Sequence, residues 1–121
     1  MKIMVVDDEK DVQFLFQQKF RKEIRSGRVT FHFAFSGEEG LEYLKHNGHE
    51  DIYLILSDIN MPGMSGLELL KRVKEEFPDL TVYMITAYGD EYNFREAQAS
   101  GCDDYFTKPI NFDVLKDRLL N

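Results

Sequence analysis

Cysteine and proline are scarce in this sequence, and tryptophan is missing. The 121 residues include one cysteine, Cys102, and three prolines. A lone cysteine excludes an internal disulfide, a zinc site built from several thiolates and a CxxC redox pair, and it fits a reducing compartment. With little proline and 43% hydrophobic residues, the chain is neither collagen-like nor disordered and can fill an ordinary hydrophobic core.

Long hydrophobic runs are missing as well. No stretch approaches the ~20 apolar residues of a membrane span, and Met1 and Lys2 lead directly into a strand-like stretch rather than a signal peptide. We therefore expect a cytoplasmic protein without a membrane partner. Because domains usually contain roughly 100 to 150 residues, residues 1–121 should form a single domain.

Basic residues are fewer than acidic residues. Lysine and arginine number 15 against 22 aspartates and glutamates, which gives a net charge of −7. Affinity for DNA comes mostly from neutralising phosphates, so direct binding of nucleic acid is not expected. Residues 19–28 depart from this balance, because they hold five basic side chains against Glu23 alone. We interpret this basic decade as a solvated helix end, with a docking patch as the alternative.

Five short apolar runs alternate with segments of helical spacing. The runs cover residues 2–6, 29–35, 52–57, 81–86 and 104–107. Several are continuous rather than alternating, as in strands that are buried on both faces. Apolar residues at helical spacing follow each run, within residues 12–24, 41–44, 67–77, 91–100 and 114–119. This βα order, repeated five times, predicts a doubly wound α/β fold, a parallel sheet with helices on both faces.

Polar residues stand where the apolar runs end. They are Asp7, Asp8 and Glu9 after the first run, Asp58 after the third, Thr86 at the end of the fourth and Lys108 after the fifth. In open parallel sheets, ligands bind outside the carboxyl ends of the strands. We therefore expect these side chains to converge at one edge of the sheet.

The chemistry of these residue types points to phosphate. Crowded carboxylates repel one another and need a cation, and oxygen ligands without a nearby histidine or cysteine suit Mg²⁺ best. The ammonium of Lys108 and the hydroxyl of Thr86 can bind the oxygens of a phosphoryl group. The set predicts an aspartyl-phosphate site with a carboxylate nucleophile, a metal and an oxyanion clamp.

Four motifs carry a resemblance that extends over essentially the whole chain. They are residues 4–9 (MVVDDE), 56–66 (LSDINMPGMSG), 84–87 (MITA) and 101–109 (GCDDYFTKP). With these motifs in this order, the sequence resembles the receiver domains of two-component response regulators, the chemotaxis regulators among them. The resemblance implies a flavodoxin-like sheet of five strands in the order 2-1-3-4-5.

The resemblance also implies a phosphorylation site. Asp58 would accept phosphate from the phosphohistidine of a sensor histidine kinase or phosphotransfer protein. Asp8 and Asp58 would bind Mg²⁺ directly, or Mn²⁺ in its place, together with the backbone carbonyl of Asn60. Asp7 would act through a metal-bound water. The domain would catalyse only its own phosphorylation and dephosphorylation.

Further residues would relay and time the signal. Lys108 would neutralise the phosphate, and a cis peptide bond would precede Pro109. Thr86 and Tyr105 would form a coupled switch that changes the face made by the last two βα units, where a downstream effector domain or protein would bind. Asn60 and Tyr88 would flank the path of the attacking water, and we expect the bulk of Tyr88 to slow the loss of phosphate.

Three other functions share parts of this pattern. A flavodoxin-like electron carrier needs serine, threonine and glycine after the first strand, whereas Asp7, Asp8 and Glu9 would repel a flavin phosphate. A phosphatase resembling the haloacid dehalogenases would carry its nucleophile on the first strand, in an Asp-x-Asp arrangement, and would have a cap segment. In this sequence the isolated aspartate, Asp58, follows the third apolar run instead. An interaction scaffold that never turns over phosphate is the remaining alternative.

Overall fold

The centre of the fold is one sheet of five parallel strands. The computed structural model describes residues 1–121. The strands are β1 Lys2–Val6, β2 Thr30–Ala34, β3 Leu54–Asp58, β4 Thr81–Thr86 and β5 Asp104–Thr107. All neighbours are parallel, in the order β2-β1-β3-β4-β5. The predicted doubly wound fold and its strand order are therefore confirmed.

Six helices connect and follow the strands. They are α1 Asp11–Lys19, α2 Arg21–Arg25, α3 Gly37–Asn47, α4 Gly66–Glu76, α5 Glu91–Ala99 and α6 Phe112–Leu120. Polar side chains begin several of them: the Ser36 hydroxyl accepts a hydrogen bond from the N–H of Glu39, and the Asn111 side chain accepts from the N–H groups of Asp113 and Val114. No helix is both long enough and apolar enough to cross a bilayer.

Each face of the sheet has its own hydrophobic core. On one face α3, α4 and α5 pack against Met4 and Val6 of β1, and this core is mainly aliphatic. On the other face α1 and α6 pack against Ile3 and Val5, and this core is rich in aromatic rings. Alternate residues of one strand therefore supply the two cores, as the pleat of a strand requires.

The first helical segment is interrupted, which corrects the single helix expected from the spacing of residues 12–24. Phe20 separates α1 from α2, with φ −104° and ψ 22°. Its ring is fully buried, 5.0 Å from the ring of Phe31 and 6.0 Å from that of Phe16. Beyond this anchor, Ile24 is 37% exposed instead of extending the buried stripe.

Candidate functional site

Three carboxylates converge at the carboxyl end of the sheet. Asp7 follows β1 and Asp58 ends β3, and these two strands are neighbours, with Val6 level with Ser57. One carboxylate oxygen each from Asp7, Asp8 and Asp58 lies within 4.8 Å of the other two. The position is the crevice where the strand order reverses, which is the usual ligand site of doubly wound sheets.

Burial makes the negative charge of this cluster unfavourable. Asp7 and Asp58 are only 6% and 4% exposed. Burial raises the pKa of Asp7 from 3.8 to about 6, and the charges of Asp58 and Asp8 add to the rise while the N–H of Glu9 opposes it. Burial also raises the pKa of Asp58, and the positive charge of Lys108 opposes that rise. An oxygen-only cluster with excess negative charge fits a hard divalent cation.

Backbone donors fix the orientation of both buried carboxylates. Asp7 Oδ1 accepts a hydrogen bond of 2.9 Å from the N–H of Glu9. Asp58 Oδ1 accepts one of 2.9 Å from the N–H of Ile59. Asp58 Oδ2 then points to the ammonium of Lys108, at 3.3 Å. One oxygen of Asp58 is thus held by the backbone, and the other faces the only cation in contact with it.

Lys108 reaches the cluster from the end of β5. Its N–H donates to the carbonyl oxygen of Thr86 at 2.8 Å, and the peptide bond to Pro109 is cis, as the resemblance implied. Burial lowers the pKa of the Lys108 ammonium, but the opposing charges of Asp58 and Asp7 are stronger, and the net shift is upward. Lys108 therefore stays charged beside the carboxylates at neutral pH.

The hydroxyl of Thr86 lacks a partner. Thr86 is fully buried, and its Oγ1 makes no hydrogen bond. A buried hydroxyl without a partner is uncommon and unfavourable, so this one fits the oxygen of an incoming group such as a phosphoryl. Tyr105 is its neighbour: burial raises the pKa of the Tyr105 phenol, and a polar contact with the Thr86 hydroxyl, which falls outside normal hydrogen-bond geometry, opposes the rise. The Tyr105 ring is half-buried and packs 4.5 Å from that of Phe94.

The loop after Asp58 passes close to the site because two glycines permit it. Gly63 has a φ of +72°, which favours glycine. At Gly66, a Cβ atom would lie 2.0 Å from the carbonyl oxygen of Asp58. The motif of residues 56–66 did not reveal this close approach, so Gly66 is a positioning residue that the sequence analysis missed.

The two residues expected to time the signal lie on the open side of the site. Asn60 is exposed in the loop after β3. Tyr88 is 86% exposed in the loop after β4. Its ring would have to fold over the site to shield a phosphoryl group, and the shielding role stays a prediction.

Comparison with known proteins agrees with this geometry. Residues 3–120 match the family model described as the response regulator receiver domain. The chain belongs to this family. It is therefore a receiver domain of the two-component response regulators, a family of signalling proteins, and the resemblance seen in the four motifs is confirmed.

Relatives of this receiver domain occur alone and as parts of longer chains. It is 35% identical over 116 residues to the sporulation initiation phosphotransferase F of Bacillus subtilis, a match that covers 96% of this chain and 88% of the relative. It is 33% identical over 121 residues to a chemotaxis protein CheY homolog of Campylobacter jejuni, covering 98% and 89%. It is 34% identical to the transcriptional regulatory protein DltR of Streptococcus agalactiae, of which it spans 50%.

Similar solved structures include one described with bound Mg²⁺ and BeF. The response regulator TrrA of Thermotoga maritima, described in complex with Mg²⁺–BeF, shares 31% identity with this chain. The TM-score is 0.80, and the match covers 98% of this chain and 95% of that one. The phosphorylation-dependent switch and the Mg²⁺ dependence expected from the sequence are consistent with this relative.

Proposed function

We propose that Asp58 accepts a phosphoryl group from the phosphohistidine of a sensor histidine kinase or phosphotransfer protein. The observation that carries this proposal is the environment of Asp58 Oδ2. It faces Lys108 at 3.3 Å, and the unpartnered hydroxyl of Thr86 lies on the neighbouring strand. A nucleophile, a cation and a free donor are what transfer of a phosphoryl group needs.

The transfer moves one group between two side chains. Asp58 Oδ2 attacks phosphorus, the phosphorus–nitrogen bond breaks, and its electron pair stays on the imidazole of the donor. The backbone N–H of Ile59 holds the other oxygen of Asp58 and so limits the freedom of the nucleophile. Lys108 balances charge on the phosphoryl oxygens, and Thr86 donates its hydroxyl to one of them.

The divalent ion would be held by Asp8, Asp58 and the backbone carbonyl of Asn60, with Asp7 acting through a bound water. Bound Mg²⁺, or Mn²⁺ in its place, supplies positive charge that neutralises the carboxylates and the transferred group. The crowded oxygens of Asp7, Asp8 and Asp58 support this assignment, because their charge is otherwise opposed by Lys108 alone. The domain then catalyses only its own phosphorylation and dephosphorylation.

Phosphorylation would change the face made by α5, β5 and α6. The Thr86 hydroxyl moves toward the phosphoryl group, and the ring of Tyr105 occupies the vacated space. A surface groove of about 270 Å³ beside Tyr105 and Phe94 leaves room for this ring to move. Such a switch shifts a pre-existing equilibrium, which requires that phosphate interact differently with its two states. A downstream effector domain or protein would read the altered face.

The phosphodonor would approach next to α1. An apolar hollow of about 530 Å³ adjoins Asp7 and Lys108, and its walls include Val12, Leu15 and Phe112. Leu15 is 41% exposed beside it. Apolar side chains around a donor histidine could fill this hollow while the phosphoryl group meets Asp58, which supports a protein donor over a small phosphorylated metabolite.

The proposal is tested by weighing the protein after incubation with a small acyl phosphate. Wild-type protein with Mg²⁺ should gain one phosphoryl group. Asp58→Asn should keep the fold and gain none, and removal of Mg²⁺ with a chelator should prevent the gain in wild type. A phosphoryl adduct on Asp58→Asn, or a rate that chelation leaves unchanged, would show that the site is wrongly assigned. Complete absence of an adduct in wild type would favour the interaction scaffold.

A further inference from the structure

The two edges of the sheet differ in how they are protected. Exposed edge strands usually carry charges, prolines or short lengths that discourage pairing with another chain. β5 has four residues, and its Asp104 is paired with Arg118. At the opposite edge, the run of residues 29–35 around β2 contains no lysine, arginine, aspartate, glutamate or proline. Burial also lowers the pKa of His32, so β2 is uncharged at neutral pH.

β2 presents unused backbone groups along this edge. The N–H of Thr30 donates to Met1, and the carbonyl oxygen of Ala34 accepts from Asp7, so these residues face β1. In a parallel ladder, alternate residues direct both backbone groups to the same side. Phe31 and Phe33 therefore direct their N–H and carbonyl groups away from β1, where no strand of this chain lies.

A groove runs beside the edge on the face covered by α1 and α2. It has a volume of about 360 Å³, and its walls include Gln13, Gln17, Ile24, Phe31 and Phe33. A second hollow of about 300 Å³ continues from it, sharing Gln17 and Ile24 and adding Arg21 and Arg25. A groove lined by aromatic and aliphatic side chains together with glutamine amides thus leads to a basic rim.

The basic rim has no acidic partner within the chain. Arg21, Lys22 and Arg25 are exposed and take part in no ion pair. The nearby Glu23 is turned away from them, toward Lys116 at 3.3 Å. These cations stand out because the rest of the chain is strongly acidic.

We propose that β2 and its adjoining groove bind an extended, acidic segment of a partner protein by strand addition. The backbone of the segment pairs with Phe31 and Phe33, apolar side chains enter the groove, and an acidic side chain meets Arg21 and Arg25. This mode of recognition draws affinity from main-chain hydrogen bonds and specificity from alternate side chains. It is independent of phosphorylation at Asp58.

A second copy of this chain is a poorer occupant. Two β2 edges paired antiparallel would be related by an axis perpendicular to the sheet, which places α1 and α2 of both copies on the same face. The two sets of Arg21, Lys22 and Arg25 would then approach one another with like charge. The charge that attracts an acidic segment therefore opposes self-association.

The test uses a labelled heptapeptide, Glu-Thr-Val-Thr-Val-Thr-Glu, with blocked ends. One of its faces is Glu, Val, Val, Glu, so acidic groups reach the rim in either strand direction. The control peptide has lysine in place of both glutamates. Fluorescence anisotropy should show binding of the acidic peptide and at least about 10-fold weaker binding of the basic one. Equal binding, or no binding of the acidic peptide, would overturn the proposal.

A matched pair of variants locates the site. Arg21→Glu with Arg25→Glu should weaken binding by at least about 10-fold. Lys71→Glu with Arg95→Glu, which changes the charge equally on exposed positions of α4 and α5, should leave it within about 2-fold. If both double variants lose binding alike, only net charge matters and the assigned site is wrong.

Amide hydrogen exchange tests strand addition itself. The peptide should protect the N–H groups of Phe31 and Phe33 from exchange. The N–H of Thr30 is already bonded to Met1 and serves as the internal control. Binding without protection of Phe31 and Phe33 would contradict strand addition. Binding of phosphatidylserine vesicles that depends on Arg21 and Arg25, with no binding of the peptide, would assign the surface to a membrane instead.

Discussion

Two aspartate–lysine pairs lie at opposite ends of the strands, and they are compensated to different degrees. At the amino end, Asp103 Oδ2 accepts from the ammonium of Lys74 and from the N–H of Val82, both at 2.8 Å. Lys74 also donates to the carbonyl oxygen of Leu80 at 2.9 Å. One cation and one backbone donor thus serve one carboxylate, and the pair joins α4 to the starts of β4 and β5.

At the carboxyl end of the strands, one lysine lies beside three aspartates. Lys108 is the one ammonium beside the three carboxylates of Asp7, Asp8 and Asp58, and Thr86 Oγ1 is without a partner. The amino-end pair is complete without a ligand, so its role is structural. The carboxyl-end group lacks positive charge and has one donor to spare, so we expect a cation and an anion from outside to complete it.

The largest expected effect comes from removing the spare donor. Thr86→Ala should still accept phosphate at Asp58 but lose the conformational response in α5, β5 and α6. Thr86→Ser keeps the hydroxyl and should retain most of the response. Backbone chemical shifts, recorded with and without phosphorylation, measure both variants. A response of wild-type size in Thr86→Ala would contradict the coupling.

Replacing each of the two lysines with alanine tests whether the two ends of the strands differ in role. Lys108→Ala should bind Mg²⁺ nearly normally and show a much weaker response to phosphorylation. Lys74→Ala should keep the full response and lose about 1 to 3 kcal/mol in the free energy of unfolding, because Asp103 and the carbonyl of Leu80 lose a charged donor. Chemical denaturation and chemical shifts on both variants test this. If Lys108→Ala switches fully, Lys108 is not part of the switch.

A smaller effect is expected at the open side of the proposed phosphorylation site. Tyr88→Glu should lose phosphate about 10-fold faster than wild type, because a carboxylate can orient water and no longer shields the site. Asn60→Ala should retard the loss by a smaller factor. The measurement is the first-order decay of labelled protein with excess Mg²⁺ and no kinase. Decay of Tyr88→Glu at the wild-type rate would mean that the lifetime is set elsewhere.

Much of the fold could be predicted because each strand is a local apolar run. β1, β4 and β5 have the predicted bounds, and β2 and β3 differ by one or two residues. The break at Phe20 could not be predicted, since Phe16, Phe20 and Ile24 have regular helical spacing. It arises from the burial of the Phe20 ring among aromatic residues of β2 and α6, which is a tertiary contact.

The residues of the candidate site could be predicted from the sequence, but the contacts elsewhere in the fold that hold them in place could not. Asp7, Asp58 and Lys108 converge because parallel strands bring their carboxyl ends to one edge. The close approach at Gly66 depends on the path of the loop after Asp58, and the Lys74–Asp103 pair joins residues 29 apart on different elements. Neither has a local sequence pattern.

We expect buried negative charge at the carboxyl end of the strands to destabilise the metal-free protein. The pKa of Asp7 is raised from 3.8 to about 6 in the folded protein. Folded Asp7 therefore holds its proton more tightly than unfolded Asp7. Its stabilising contribution is present below pH ~4 and is lost as the pH rises through about 6, an effect on the order of 1 to 3 kcal/mol.

The most direct measurement is the free energy of unfolding of wild type and Asp7→Asn between pH 4 and 7, with chelator and with Mg²⁺. With chelator, wild type should lose stability relative to Asp7→Asn as the pH rises. Saturating Mg²⁺ should restore wild type by about 2 to 3 kcal/mol and restore Asp7→Asn by less. Parallel pH profiles of the two proteins with chelator, or equal stabilisation by Mg²⁺, would contradict the account.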